Sequence, residues 1–248
     1  MPLYSIWIEY DGSAYFGWQI QPNKPTPQQK IEQALAIIYR QEVPIRGTSR
    51  TDAKVHAKYQ IATFSVPQKL TLEKLKRALN SLIPPDINIW RIKQCVDGFD
   101  ARSQNTGKLY SYSIAHGKSL PAFNRNYIWH LNTNFNFDLM QKVADQLKGK
   151  HDFSAFRATS CRSLYTTRTI YQIELEFIEQ RWGKLIKINV SGDSFLKYMV
   201  RVIVGTMVDI GRGRLEISCI DQAFKSKKRN LLGQTAPARG LCLEEIYF

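Results

Sequence analysis

The chain has 248 residues, of which 44% are hydrophobic, enough for a sizeable core and too many for a disordered chain. Lys and Arg number 35 against 21 Asp and Glu, a formal charge of +14. Such a balance on a folded chain points to a polyanionic partner, nucleic acid before membrane. No apolar run reaches the roughly 18 residues that span a bilayer, and Met1 to Trp7 lacks the pattern of a secretion signal, so a cytoplasmic location is expected.

The predicted elements run in order as follows. Leu3 to Glu9 alternates and predicts a strand, with a turn at Asp11-Gly12. Thr26-Pro27-Gln28-Gln29 starts a helix: Thr26 caps, Pro27 takes N1 and Gln29 closes a capping box. Ile31, Leu35 and Ile38 give that helix one apolar face. Ile61 to Val66 reads as a strand. Thr71 caps a second helix striped by Leu72, Leu75, Leu79 and Leu82 and stopped at Pro84-Pro85, and Ile87 to Ile92 alternates again.

In the second half, Leu109 to Ala115 predicts a strand, 117–134 a long connection, and Leu139, Val143 and Leu147 a helix. Thr169 to Phe177 and Lys184 to Val190 predict a hairpin turning through Gln180 to Gly183. A strongly apolar helix is expected from a Ser194 cap to about Ile210. The fold class is α+β: two ferredoxin- or RRM-like halves, 1–104 and 105–248. Their antiparallel strands are expected to join in one mixed sheet flanked by helices, with an active-site cleft between the halves.

Several chemistries lack their usual motifs: there is no G-x-x-x-x-G-K-[ST], no strand-linked G-x-G-x-x-G, no G-x-S-x-G and no H-E-x-x-H. The four cysteines, Cys95, Cys161, Cys219 and Cys242, form no C-x-x-C pair and are expected as mostly buried thiols, with no metal site.

The most informative stretch is Gly47 to Ala57, where small residues surround Arg50, Asp52 and His56. In extended chain Arg50 and Asp52 face one side, and the arginine keeps the carboxylate ionised. Asp52 then serves as nucleophile, base or metal ligand, or it is a turn residue bonding its own backbone. Arg201 is placed in the middle of the apolar helix, with Lys197 and Tyr198 one turn earlier on its face. There it meets a buried carboxylate, with Asp52 a candidate, or else a structural partner elsewhere, or it reaches out to water. Tyr110 and Tyr112 share one face near Arg102 and Lys108, which suits base stacking or strand packing.

Taken together these blocks resemble the tRNA pseudouridine synthase A family. Residues 47–57 are similar to its G-[RT]-T-D-A-G-V-H-A signature, and Tyr10 to Gly12 with Gly17 to Gln19 to its first strand and turn. Phe99 to Tyr112 is similar to F-x-A-R…Y-x-Y, and His151 to Phe156 to H-D-F-x-x-F. Met199 to Gly205 and Thr235 to Leu241 match its last two blocks. The resemblance implies isomerisation of uridine to pseudouridine in the tRNA anticodon arm, at tRNA positions conventionally numbered 38, 39 and 40. It implies Asp52 as nucleophile, Arg50 displacing the target base, Tyr110 stacking on the flipped uracil and Arg201 orienting Asp52. It implies no cofactor, no metal, and a homodimer. The readings left beside it are a non-catalytic RNA-binding protein on the same scaffold and a synthase for another RNA. Ser49 and Lys54 depart from the family's smaller residues, and a positive φ at Lys54 would strain a lysine.

Overall fold

The computed structural model describes every residue except Asp97 and Pro121. In chain order the elements are β1 (Leu3–Tyr10), α1 (Pro27–Tyr39), β2 (Arg46–Gly47), β3 (His56–Ser65), α2 (Leu72–Leu82), β4 (Ile87–Gln94) and α3 (Ala101–Gln104). There follow β5 (Gly107–His116), β6 (Trp129–Leu131), α4 (Phe137–Leu147), β7 (Gly149–Asp152), β8 (Thr167–Gln180) and β9 (Gly183–Gly192). The last are α5 (Met199–Gly211), α6 (Cys219–Ser226) and β10 (Leu241–Tyr247). Two compact units emerge. One is Met1–Thr106 with Cys242–Phe248, the other Gly107–Leu241.

In the first unit β1 pairs antiparallel with both β3 and β4, and β2 pairs antiparallel with β3. The order β4-β1-β3-β2, with α1 and α2 as crossovers, is the ferredoxin-like arrangement that the alternating strand and helix patterns predict. The helix starts follow the sequence. The Thr26 hydroxyl accepts the Gln29 N–H with Pro27 at the first position, and Thr71 accepts the Lys74 N–H. Tyr4, Ile6 and Ile8 of β1 are buried, as are Phe64, Ile31, Leu35, Leu75 and Leu79, so period two and period 3.6 put their apolar residues inside one core. Leu82 of the predicted stripe is exposed. Cys242 and Leu243 of β10 run parallel to His56 and Ala57 on β3.

In the second unit β5 pairs with β9, β9 with β8 and β8 with β7, all antiparallel, and β6 lies parallel to β5. The hairpin turns where the alternation predicts, with Gln180 opposite Gly183. Ile186, Ile188 and Val190 alternate inward on β9 and are buried, as are Met140, Val143 and Leu147 of α4.

Three expectations are corrected. The apolar helix begins at Met199, not at Ser194. Asp193 accepts hydrogen bonds from the Thr169 N–H and the Ser194 hydroxyl, and Tyr198 takes φ 68, which no helical turn allows. Lys197 and Tyr198 therefore precede the helix, and Arg201 sits in its first turn rather than its middle. The strand read from Ile61 begins five residues earlier, at His56. Of the four thiols only Cys219 is buried.

Candidate active site

In the first unit the connection between β2 and β3 carries Asp52, and it is pinned at successive points. Thr48 N–H donates to Ile61 O at 2.8 Å. The fully buried Gln60 then brackets Ser49: its Nε2 donates to Ser49 O at 2.6 Å and its Oε1 accepts Ser49 N–H at 3.3 Å. That side-chain amide stands in for a strand partner and leaves no buried backbone group at Ser49 unpaired. Thr51 is held twice, by Trp18 N–H on its carbonyl at 3.2 Å and by a 2.7 Å contact between its hydroxyl and that of Tyr10. Gly17, at φ +94, makes this approach possible, since a Cβ there would lie 2.7 Å from Thr51 O.

Beyond these anchors the chain turns. Val55 N–H donates to Asp52 O at 3.2 Å, and Lys54 N–H to Tyr15 O at 3.0 Å. Lys54 adopts φ 63, the left-handed conformation that the sequence flagged as strained for lysine. His56 is buried at the start of β3, with Nδ1 3.0 Å from the Gly12 N–H and 3.1 Å from the Asp11 carboxylate. Asp52 is half-buried at the tip of this pinned loop, whereas Arg50 is exposed. The two therefore differ in solvent access, unlike the shared face that a fully extended segment would give them.

The second unit gathers Tyr110, Tyr112 and Arg201. Tyr110 on β5 is 6% exposed, and its ring meets Phe195 edge-on at 5.3 Å. Tyr112 is fully buried, donates its hydroxyl to Pro237 O at 2.7 Å and packs against Trp129. Burial drives its phenol far above the ordinary tyrosine range, against the opposing pull of Arg201 and Arg239. Tyr112 is thus a packing residue and not a stacking platform. Arg201 is half-buried at the start of α5, where the helix dipole disfavours a cation. Its Nε donates to Ala236 O at 2.7 Å, Ala236 N–H returns a bond to Arg201 O at 3.0 Å, and the Tyr198 ring lies 4.5 Å beneath the guanidinium.

A strap, Gly233 to Ala236, runs along α5 and holds these contacts. Gly233 N–H donates to the Thr206 hydroxyl and Gln234 N–H to Asp209. Sequence reasoning missed Gln60, Asp209 and the strap. Gln60 was legible in one respect, since it is in phase with Ala62 and Phe64 on β3 and so points inward. Asp209 carried a signal too, as a carboxylate inside a run of buried apolar residues needs partners.

Among the described residues no group of three or more His, Cys, Asp or Glu side chains is placed to hold a metal ion. No helix among them is long and apolar enough to cross a membrane.

The elements that carry these residues match known proteins along most of the chain. A family model described as tRNA pseudouridine synthase matches residues 6–102 and 143–248. A protein named tRNA pseudouridine synthase A 2 from Clostridium perfringens is 41% identical over 97% of this chain and 97% of its own length. Proteins named tRNA pseudouridine synthase A from Thermoanaerobacter sp. and Myxococcus xanthus are 40% and 35% identical, covering 98% and 100% of this chain and 98% and 92% of their own. With a family model over more than half of the chain and relatives 35–41% identical along nearly all of it, the chain belongs to the tRNA pseudouridine synthase family.

Proposed function

We propose that this chain isomerises uridine to pseudouridine in the anticodon arm of tRNA, at positions 38, 39 and 40, with Asp52 as the nucleophile. The observation that carries the reading is the pinned loop: three of its residues, Thr48, Ser49 and Thr51, with Ser49 bracketed by Gln60, are fixed beside the one carboxylate at its tip. A loop built only to bind phosphates needs cations and N–H donors there, not an acid.

The chemistry conserves the elemental composition of the substrate. The uridine leaves its stack, at a cost of a few kcal/mol, roughly, which basic surface and ring stacking offset. The carboxylate of Asp52 adds either to C1′ of the ribose or to C6 of the base. The bond from N1 to C1′ breaks, the uracil rotates, and C5 bonds to C1′. The proton on C5 goes to solvent, N1 takes one up, and the carboxylate is regenerated. Substrate and product are isomers, so the net change consumes no oxidant and no nucleotide. Arg50 displaces the target base and fills its place, Tyr110 stacks on the extruded uracil, and Arg201 orients Asp52. The enzyme acts as a homodimer in the cytoplasm, with one tRNA contacting both subunits.

Asp52→Asn should abolish tritium release from C5-labelled uridine in tRNA while leaving tRNA binding within about two-fold. Full release by that variant would remove Asp52 as nucleophile. Carbodiimide-blocked primer extension on an unmodified transcript identifies the positions, and stops elsewhere than 38, 39 and 40 would refute that assignment. Sedimentation should give twice the mass of one chain.

A further inference from the structure

The segment from Arg157 to Arg168 connects the H-D-F block to β8 and plays no part in the chemistry above. It contains three arginines and no Asp or Glu. At its tip Leu164 is 92% exposed and Tyr165 83% exposed. Two bulky side chains held in water, side by side, are unfavourable for the isolated molecule and mark a contact surface.

The loop is fixed, not floppy. At one root Ala158 N–H donates to Lys197 O at 2.9 Å, and at the other Phe153 N–H donates to Thr166 O at 3.0 Å. Arg157 donates to Ser163 O at 2.8 Å, and Arg168 reaches the Ser163 hydroxyl at 3.5 Å. The Ser163 hydroxyl donates to Tyr165 O at 2.7 Å, and Lys197 Nζ to the Ser160 hydroxyl at 3.0 Å. Tyr165 and Leu164 are thus presented by a frame that needs no further ordering on binding. Lys197, which receives one root, also lies 5.4 Å over the Tyr198 ring, on whose face Arg201 rests. The tip therefore stands on the same scaffold that positions Arg201.

We infer that Tyr165, with Leu164 beside it, is a stacking wedge for a nucleobase of the bound RNA. The arginine-rich, carboxylate-free loop fits the phosphates on either side. Charge selects this occupant: a protein surface mates an exposed Leu-Tyr pair with an apolar pocket and gains little from the arginines of this loop, whereas an RNA strand supplies both bases and anions. Phosphate contacts place the strand, and the ring supplies sequence-tolerant stacking. The inference rests on RNA being the substrate and adds a base contact outside the reacting uridine.

The test is equilibrium binding of an unmodified tRNA transcript to the full chain carrying Asp52→Asn, which leaves the RNA intact. Adding Tyr165→Ser should weaken binding about ten-fold, the change expected when one base loses its stacking ring. Tyr165→Phe, which keeps the ring, should restore affinity to within about two-fold. Arg162→Gln should lower the salt slope by about one ion. With Asp52 intact, Tyr165→Ser should raise KM and leave kcat within about two-fold. If Tyr165→Ser binds as tightly as its parent while the unaltered chain binds and isomerises tRNA, the wedge is refuted and the isomerase reading stands. If the unaltered chain binds no tRNA, both fall. If Tyr165→Ser halves the sedimenting mass, the tip is a contact between protein chains and the inference is overturned.

Discussion

Lys54 is the residue where sequence and geometry meet most sharply. Its left-handed φ of 63 crowds a Cβ against the backbone, and the turn that holds it is closed by Val55 N–H on Asp52 O. Lys54→Gly should therefore stabilise the fold by up to about 1 kcal/mol, the relief of strain less the added freedom of glycine in the unfolded chain. Thermal melting reads this directly, and a lower midpoint would mean that the lysine side chain makes contacts worth more than the strain. Tyr110 supports a different prediction. With the stacking role proposed for it, Tyr110→Leu should reduce turnover at least 100-fold and tRNA affinity less than about five-fold, because such a ring would act only at the reacting base. Equal losses in both would assign the ring to docking. Asp152 gives a pH signature. Burial alone would raise its pKa, but hydrogen bonds from Lys227, Thr166 and Ser154 overcome that and hold it well below the ordinary value. A depressed carboxylate contributes stability that is fully present above its unfolded pKa of about 4 and is lost as pH falls from there toward the folded value. Asp152→Asn should thus melt earlier than the parent at neutral pH, with the gap closing below about pH 4. A gap that persists undiminished into that acid range would show that the charge is not what stabilises.

Among the elements, the two early helices were legible because their starting signals are local. A threonine, a proline and an apolar stripe within a dozen residues suffice, and Thr26 and Thr71 cap as the sequence implies. The start of α5 was not legible for the opposite reason. Ser194 looks like a cap, but its neighbour Asp193 bonds to Thr169, 24 residues away in another strand, and such a tertiary partner leaves no trace in a local pattern. The same holds for the loop that carries Asp52. Its motif could be read, yet its anchors come from Trp18, Gln60 and Tyr10, which no spacing rule connects. The pairing of α5 with the strap yields a sharp prediction. A Cβ at Gly205 would fall 1.8 Å from Gln234 O, so Gly205→Ala must push the strap off the helix. Displacing the strap breaks the paired bonds between Arg201 and Ala236, and the cost should be about 1–3 kcal/mol of stability with a larger loss of turnover than of tRNA binding. A normal melting temperature with full activity would show that the strap is not needed to hold Arg201.

For the whole molecule, charge and topology were the most readable properties. An excess of 14 positive charges predicts that tRNA affinity falls at least ten-fold between about 50 and 200 mM salt, with a linear log–log slope. A flat response would detach the basic surface from RNA binding. The alternation of strand and helix patterns also announced the ferredoxin-like order of the first unit, since few topologies accommodate that element sequence. The sequence reading did not anticipate that the chain's last strand serves the first unit. Its seven residues, LCLEEIY, look like any short β-prone stretch, and only the register beside His56 and Ala57 tells where they go.

That homecoming has a consequence for how the protein is made. On the ribosome, residues 1–106 emerge first, but the edge of β3 next to His56 stays uncovered while all of 107–241 is synthesised, many seconds at about 5–20 residues per second. Only then do Cys242 and Leu243 arrive beside that edge, Glu244 reach Lys58 at 2.9 Å, and Tyr247 accept the Thr106 N–H. A nascent chain stalled before residue 242 carries an open strand edge at the root of the Asp52 loop, a place where neighbouring chains on a crowded polysome can pair.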